Sequence, residues 1–418
     1  MSIYEDAVRR GGFIKIARLR FLNQDGSLAF ALDNDPYNKR NKTFIRSGSV
    51  SCNLQNGARW SAEVTLDNVD GEYAYNVSKV WFGTEIAIDM GIAVPQGSGT
   101  EEIWFPMGVY RVERPAELVG NNARTVSFSL ADKWSGIDGT LNGVLEASYV
   151  VEEGSNIFAP IVSILQLGRG DGQPYDRETP IFTVYYANRT QTLPGGGTAA
   201  LTDAPYTLIV DSDNGTVADV VLGLCGMVNA YVGYDRSGRL RIDPSQDDLL
   251  DTEKAVAWRF FLNESQITGR LNYESQIDQV CNDYIVAGNM TEDYAQPAAR
   301  ATNNDPRSPT AVSRIGRRTI REQKPEFATY QMCADYAEWK VKRAAALHRA
   351  VSFQCGQLFH LEVNQLIEIV RTDETPEILE RHLIQSYTIP MSGTEPMSIT
   401  AISVNDFPAV TVTNWGNT

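Results

Sequence analysis

The sequence predicts a mainly β chain of the α+β class, its antiparallel strands gathered into sandwiches or barrels with a few helices packed on them. Three observations carry that reading. Apolar and polar residues alternate over short runs through the first 140 residues, turn-forming residues punctuate those runs, and a sustained helical period is confined to a few stretches further on. The chain has 418 residues, 43% apolar and 21% charged, which supplies sizeable cores and predicts two to four domains.

The clearest strand is Trp60, Ala62, Val64 and Leu66 alternating with Ser61, Glu63 and Thr65, closed by the turn Asp67-Asn68-Val69-Asp70-Gly71. The same period of two returns at Ile86 and Ile88, at Tyr110 and Val112, and at Val126, Phe128 and Leu130. After Gly139 the pattern weakens. Ser155 to Leu167 reads as a short helix burying Ile157, Phe158, Ile161 and Leu165, with Pro160 the residue that sits least well in it. Asp171 to Pro205 reads as irregular β structure around a strand at Ile181 to Tyr186, with a loop at Gly195-Gly196-Gly197.

Thr216-Val217-Ala218-Asp219 has the form of a capping box with Asp for Glu, and Val217, Val220, Val221, Leu224 and Val228 recur at helical spacing behind it. Tyr234 to Ile242 then reads as strand, turn, strand, and a further strand is expected at Asp283 to Ala287. Residues 291 to 325, with Pro297, Pro306, Pro309 and Pro325 and few large apolar side chains, read as a long loop; Arg307, Arg314, Arg317, Arg318 and Arg321 in it read as solvated charge. The longest helix is expected over Glu326 to Arg349. Its stripe is Phe327, Tyr330, Ala334, Ala337, Val341 and Ala345, and Glu338 is spaced to pair with Lys342. Leu366 to Val370, Leu383 to Ile389 and Met397 to Ile402 read as closing strands.

The composition narrows the chemistry. A formal net charge of -15 argues against general nucleic-acid binding, which needs a cationic surplus on the contacting face. Cys52, Cys225, Cys281, Cys333 and Cys355 are odd in number and form no C-x-x-C pair, so they read as reduced, buried small hydrophobes. The N-terminus has no apolar signal region and no run approaches a membrane span, so a soluble protein made in the cytoplasm is expected.

No P-loop, dinucleotide fingerprint, H-E-x-x-H or G-x-S-x-G occurs. His348, Cys355, His360 and Glu362 invite a metal reading, yet the spacings of seven and five between the first three fit no standard zinc pattern, and capping or packing is the expected role of each. His382 follows Glu380 and Arg381 in a strand with no Ser or Cys partner identifiable for a triad. The acidic turn at 67–71 fails as a calcium loop, because Leu66 and Val77 fall at its first and last ligand positions. No residue is therefore assigned a catalytic, cofactor-binding or metal-ligating role. An interaction protein is expected rather than an enzyme, its seven tryptophans and eighteen tyrosines serving mainly the cores.

Several phrases carry a resemblance. Leu66-Asp67-Asn68-Val69-Asp70-Gly71-Glu72-Tyr73, then Trp81-Phe82-Gly83-Thr84-Glu85, Trp104-Phe105-Pro106-Met107-Gly108-Val109-Tyr110 and Val126-Ser127-Phe128-Ser129-Leu130-Ala131-Asp132-Lys133, look like the N-terminal barrel of phage tail-tip or baseplate hub proteins. Ala204 to Ile209, the helix-hairpin ending at Leu240, and the C-terminal phrases Glu368-Ile369-Val370 and Ser398-Ile399-Thr400-Ala401 extend the resemblance from about residue 12 to about 405. It implies two tail-tube-like antiparallel β-barrels per subunit, each with a packed helix, and smaller domains inserted between them. The expected division is 1–138 for the first barrel, 139–215 for an irregular β domain, 216–320 for the helix-hairpin segment and a smaller domain, and 321–418 for the C-terminal helix and second barrel.

The resemblance further implies a homotrimeric ring at the virion tail tip, assembled in the host cytoplasm. Such a ring joins the sixfold tail tube or distal tail protein to threefold tip structures. Its expected partners are copies of itself, the tape-measure protein and a tip fibre or spike protein. DNA is met only in transit, past an acidic surface that repels it, and no membrane is involved. Because the chain stops at Thr418, soon after the last barrel strand, a hydrolase or fibre is expected on a separate polypeptide. Two alternatives stand beside this reading: a carbohydrate-binding tail-tip module for host recognition, and a cell-wall hydrolase or peptidase.

Overall fold

The computed structural model describes residues 3–34, 45–69, 71–73, 80–97, 99–120, 124–182, 190–192, 197–200, 202–244, 254–262, 266–275, 278–289, 296–391, 395–404 and 407–415. After helix α1 (Ile3–Arg10) come seven strands: β1 (Ile14–Leu22), β2 (Leu28–Asp33), β3 (Ile45–Asn53), β4 (Trp60–Asp67), β5 (Glu85–Gln96), β6 (Gly99–Val119) and β7 (Arg124–Asp132). They pair antiparallel in the order β3-β4-β7-β6-β5-β1-β2. The expected alternation holds in β4, where Trp60, Ala62, Val64 and Leu66 are buried and the residues between them are not.

Strand β5 departs from it, being buried on both faces from Glu85 to Val94. Ile86, Ile88, Met90 and Ile92 enter the core. The opposite face carries Glu85 and Asp89, and cations from other strands make their burial tolerable: Arg18 and Arg20 of β1 reach Asp89 at 2.9 and 2.6 Å, and Arg111 of β6 lies 3.2 Å from Glu85.

The middle of the chain holds β8 (Tyr149–Val151), α2 (Phe158–Leu165), β9 (Ile181–Phe182), β10 (Thr190–Thr192), β11 (Thr198–Ala200), β12 (Leu208–Val210), α3 (Val217–Met227), β13 (Ala230–Tyr234) and β14 (Leu240–Pro244). Pro160 occupies the third position of α2, where its missing N–H is no loss to the helix. Buried in α2 are Ile161, Ile164 and Leu165, while Phe158 is only partly covered and its ring lies tilted against that of Phe182, 4.1 Å between centroids. The capping box of α3 is formed: Thr216 Oγ1 accepts the Asp219 N–H at 3.1 Å and Asp219 Oδ2 accepts the Thr216 N–H at 2.9 Å. Strand β9 ends at Phe182; the rest of the strand expected to Tyr186 and most of the triple-glycine loop lie outside the described residues.

The last part holds β15 (Val256–Phe261), β16 (Asn272–Glu274), β17 (Asp283–Ala287), β18 (Ala298–Asn303), α4 (Val312–Ile315), β19 (Thr319–Gln323), α5 (Tyr330–Ala346), β20 (Ala350–Cys355), β21 (Leu366–Arg371), β22 (Ile378–Pro390), β23 (Met397–Ser403) and β24 (Val410–Asn414). The loop expected over 291–325 is a correction: much of it is β18, α4 and β19. Strand β18 reads Ala-Ala-Arg-Ala-Thr-Asn, without large apolar residues, because α5 packs closely over it, and small side chains suit that approach. It belongs to the four-stranded mixed sheet β19-β17-β18-β24, on which α5 lies. Helix α5 starts later than expected, at Tyr330, where Thr329 Oγ1 accepts the Met332 N–H at 3.3 Å. Glu338 and Lys342 pair at 2.5 Å as their spacing predicts.

Strands β20 to β23 repeat the topology of β4 to β7. The order β20-β23-β22-β21 matches β4-β7-β6-β5, every pair antiparallel; β16 flanks β20 as β3 flanks β4, and β15 flanks β21, in parallel, where β1 flanks β5. The two sets fuse where β22 pairs with β3, Ser386–Pro390 against Asn53–Ser49, making one 13-stranded sheet. Among the described residues its pairings run from β16 to β2, with a branch from β22 through β21 to β15. One core, including Phe21, Ile88, Phe128, Phe260, Phe353 and Ile399, lies along this sheet. A second, including Val221, Leu224, Val286, Ala299, Ala337 and Val341, joins the middle elements to α5 and its sheet.

Candidate functional site

Cys355, His360 and Glu362, three of the residues singled out for metal binding, are engaged separately. His348 falls in the helical turn Leu347–Arg349, and Cys355 is buried in β20. The ring of His360 lies between Tyr4 of α1 and Trp258 of β15, its Nδ1 3.2 Å from Tyr4 Oη, and burial lowers its pKa. Glu362 is 2.5 Å from Arg236. Among the described residues, no three His, Cys, Asp or Glu side chains gather as a metal site. His382 is fully buried with Nε2 3.2 Å from Glu380, whose carboxylate is also reached by Tyr273 Oη at 2.6 Å and Arg349 at 2.5 Å.

At the acidic turn, Asn68 Oδ1 accepts the Tyr73 N–H at 2.9 Å and the Asn68 carbonyl accepts the Gly71 N–H at 3.0 Å. Gly71 has φ +68°, the left-handed backbone expected of it. Asp70 lies outside the described residues. The five arginines of 307–321 are exposed, Arg307 pairing with Asp305 at 3.1 Å. No described helix is long and apolar enough to cross a membrane.

Two concave features were not legible in the sequence. A groove of about 720 Å³ runs beside the β1–β2 turn, walled by Trp81, Phe82, Phe30, Gln24 and Asn142 with the Arg169–Asp171 pair at its edge. The ionic centre next to it is Glu85, held by Arg111 and Arg177; burial pushes its carboxyl up, but the two guanidiniums outweigh that and keep it below the usual range. The second feature is a cavity of about 280 Å³ at the seam where the two strand sets and the β13–β14 hairpin meet. Arg59, Arg236, Arg241, Asp243, Lys254 and Glu362 line it.

The turn before β4 fixes this seam. Asp132 at the end of β7 accepts the N–H groups of Arg59 at 2.8 Å, Trp60 at 3.0 Å and Trp134 at 3.1 Å, and burial nonetheless pushes its carboxyl up to about 6. Asn56 and Gly57 bond to Val232 of β13, and the Trp60 indole donates to the Tyr234 carbonyl at 3.0 Å. Gly233 permits this contact: a Cβ there would lie 2.4 Å from Arg59 Nε, so a glycine lets the hairpin lie against the guanidinium.

No family model matches the sequence, and comparison with curated proteins gives no match either. Solved structures do match. A 43 kDa tail protein of prophage MuSo2 from Shewanella oneidensis is similar at 13% identity with a TM-score of 0.56, over 93% of this chain and 98% of that one. A tail protein from Neisseria meningitidis MC58 is similar at 8% identity with a TM-score of 0.58, over 95% and 98%. Over nearly its whole length, this chain shares the mainly β fold of these two tail proteins.

Proposed function

We propose that the chain is a structural subunit of a phage tail tip or baseplate hub, a ring of three copies that joins a sixfold tube to threefold tip structures and lets DNA pass. The observation that carries this reading is the topological repeat, β4-β7-β6-β5 in one half and β20-β23-β22-β21 in the other. A chain with two like strand sets presents six like units when three copies close a ring, which suits a contact with a sixfold partner.

The internal seam suggests how copies meet. Strand β3 pairs with β22 beyond the end of β21, on the side away from β23. The equivalent free edge in the first set is Glu113–Val119 of β6, which among the described residues pairs only with β7, and the equivalent of β3 is β16, which pairs only with β20. Joining β16 of one copy to β6 of the next repeats the seam, a heterologous contact of the kind that closes rings. In this reading 1–138 and 321–418 act as tube-like barrels around the segments 139–215 and 216–320. The partners are the distal tail protein or tube, the tape-measure protein and a fibre or spike protein. The role is structural rather than catalytic, and the net charge of -15 favours a lumen that does not hold DNA.

Light scattering over a concentration series tests it. A species of about 140 kDa, three times the 46.3 kDa chain, with a central hole in negative-stain images is the expected result. A monomer that stays monomeric when mixed with its tube or distal tail partner would overturn it. A second reading, a carbohydrate-binding tip module, is favoured by the aromatic groove at Trp81 and Phe82. A glycan array without a binder among bacterial wall sugars would remove it.

A further inference from the structure

The seam cavity holds a buried cation, Arg59, that forms no ion pair among the described residues. Arg59 is 8% exposed, and its one hydrogen bond through the side chain is from Nε to the Gln55 carbonyl at 2.9 Å. Nη2 has no partner, and no carboxylate lies within 4 Å of the guanidinium among the described residues. The carboxylates around the cavity are already committed: Asp243 to Arg241 at 2.8 Å, Glu362 to Arg236 at 2.5 Å, and Asp235 to the N–H groups of Ser237 and Arg239 at 2.8 and 3.0 Å. Among the described residues, Arg59, Arg236, Arg241 and Lys254 line the space together with Asp235, Asp243 and Glu362. Burial lowers the Arg59 guanidinium from its ordinary value, against the pull of Asp243.

A buried cation without a counter-charge is strongly unfavourable. The cavity beside it, about 280 Å³, is many times the ~30 Å³ share of one water molecule. We infer that this cavity binds a small oxyanion, phosphate-like or carboxylate, with Arg59 as its buried anchor and Lys254 at its rim. Because β4, the β13–β14 hairpin and the 362–366 loop all line it, a bound anion ties both strand sets to the middle of the chain. The inference does not depend on ring assembly.

The test uses the full chain and inorganic phosphate, with sodium chloride at matched ionic strength as reference. Calorimetric titration is expected to show saturable uptake of one phosphate per chain, and melting is expected to shift upward by several degrees at saturation. Arg59→Met is expected to weaken uptake at least tenfold while melting no lower than the wild type in chloride, since it removes a buried charge that forms no ion pair among the described residues. A purely structural arginine would instead lose stability on that change. The same variant in the same salts subtracts the general stabilisation that phosphate gives to any protein. Should Arg59→Met not fold, Lys254→Ala is expected to weaken uptake several-fold. Succinate, titrated in parallel, distinguishes the source: uptake of phosphate alone assigns a free tetrahedral anion, and uptake of succinate assigns a carboxylate. Absence of saturable uptake of either at 20 mM, or equal uptake by the variants, overturns the inference.

Discussion

Tyr387 of β22 stands directly across the sheet from Cys52 of β3, and its ring meets Trp60 of β4 edge-on at 6.1 Å between centroids. This pair marks where two like strand sets become one sheet. Tyr387→Ala opens a cavity in that seam and is expected to cost about 3–5 kcal/mol. Urea denaturation checks it; a loss below about 1 kcal/mol would show that the seam contributes little to the fold.

Lys133 and Asp176 form a salt bridge with both side chains almost fully buried, and Lys133 Nζ also donates to the Gly238 carbonyl at 2.9 Å. Lys133→Met leaves Asp176 without its cation and is expected to cost about 3–5 kcal/mol. Adding Asp176→Leu should restore much of that loss, because the pair's desolvation disappears with it. A double variant no more stable than the single one contradicts this account.

Asp132 gives the stability an unusual pH response. Its folded carboxyl titrates near 6, above the ~3.9 of an unfolded aspartate, so between those values the folded state binds more protons than the unfolded state. Its contribution therefore grows as pH falls from 7 to 4, by roughly 2 kcal/mol. Relative to Asp132→Asn, the wild type should gain stability across that window; denaturation midpoints at pH 7, 6, 5 and 4 measure the difference, and a flat difference refutes the assignment.

All five cysteines are buried. Burial pushes the Cys281 and Cys333 thiols up to about 11 and about 12, and those of Cys52, Cys225 and Cys355 higher still. Thiolate is scarce at neutral pH, so a thiol-exchange dye should label the native chain slowly and all five positions rapidly in guanidinium. Fast stoichiometric labelling of the native chain would be the contrary result.

Leu118 and Val119 end β6 at 73% and 68% exposure, on the edge proposed to receive β16 of another copy. Leu118→Asp with Val119→Asp should leave folding intact and shift the mass from the assembled species to about 46 kDa. An unchanged assembled mass moves the contact elsewhere.

What the sequence disclosed follows the range of each signal. Thr216 and Asp219 are three residues apart and announce α3 by themselves, as Trp60 to Leu66 announce β4. Glu85 and Asp89 did not announce a buried face of β5, because their cations come from Arg111 and Arg177 in one case and Arg18 and Arg20 in the other. Strand β18 was misread for want of large apolar residues, which the neighbouring helix makes unnecessary. The seam cavity was out of reach altogether: Arg59, Arg241, Lys254 and Glu362 are brought together only by strand pairing, which leaves no local mark.

The β3–β22 junction also bears on how the chain is made. Strand β3 leaves the ribosome roughly 330 residues before Ser386–Pro390 of β22, a wait of roughly 15 to 70 s at ordinary synthesis rates. For that time the nascent first half holds an unpaired strand edge, the kind that recruits neighbouring chains. The waiting strand reads Arg-Ser-Gly-Ser-Val-Ser-Cys-Asn from Arg46, with serine at 47, 49 and 51. A strand so short of bulky apolar side chains is a poor template for aggregation, so β3 keeps until its late partner is synthesised.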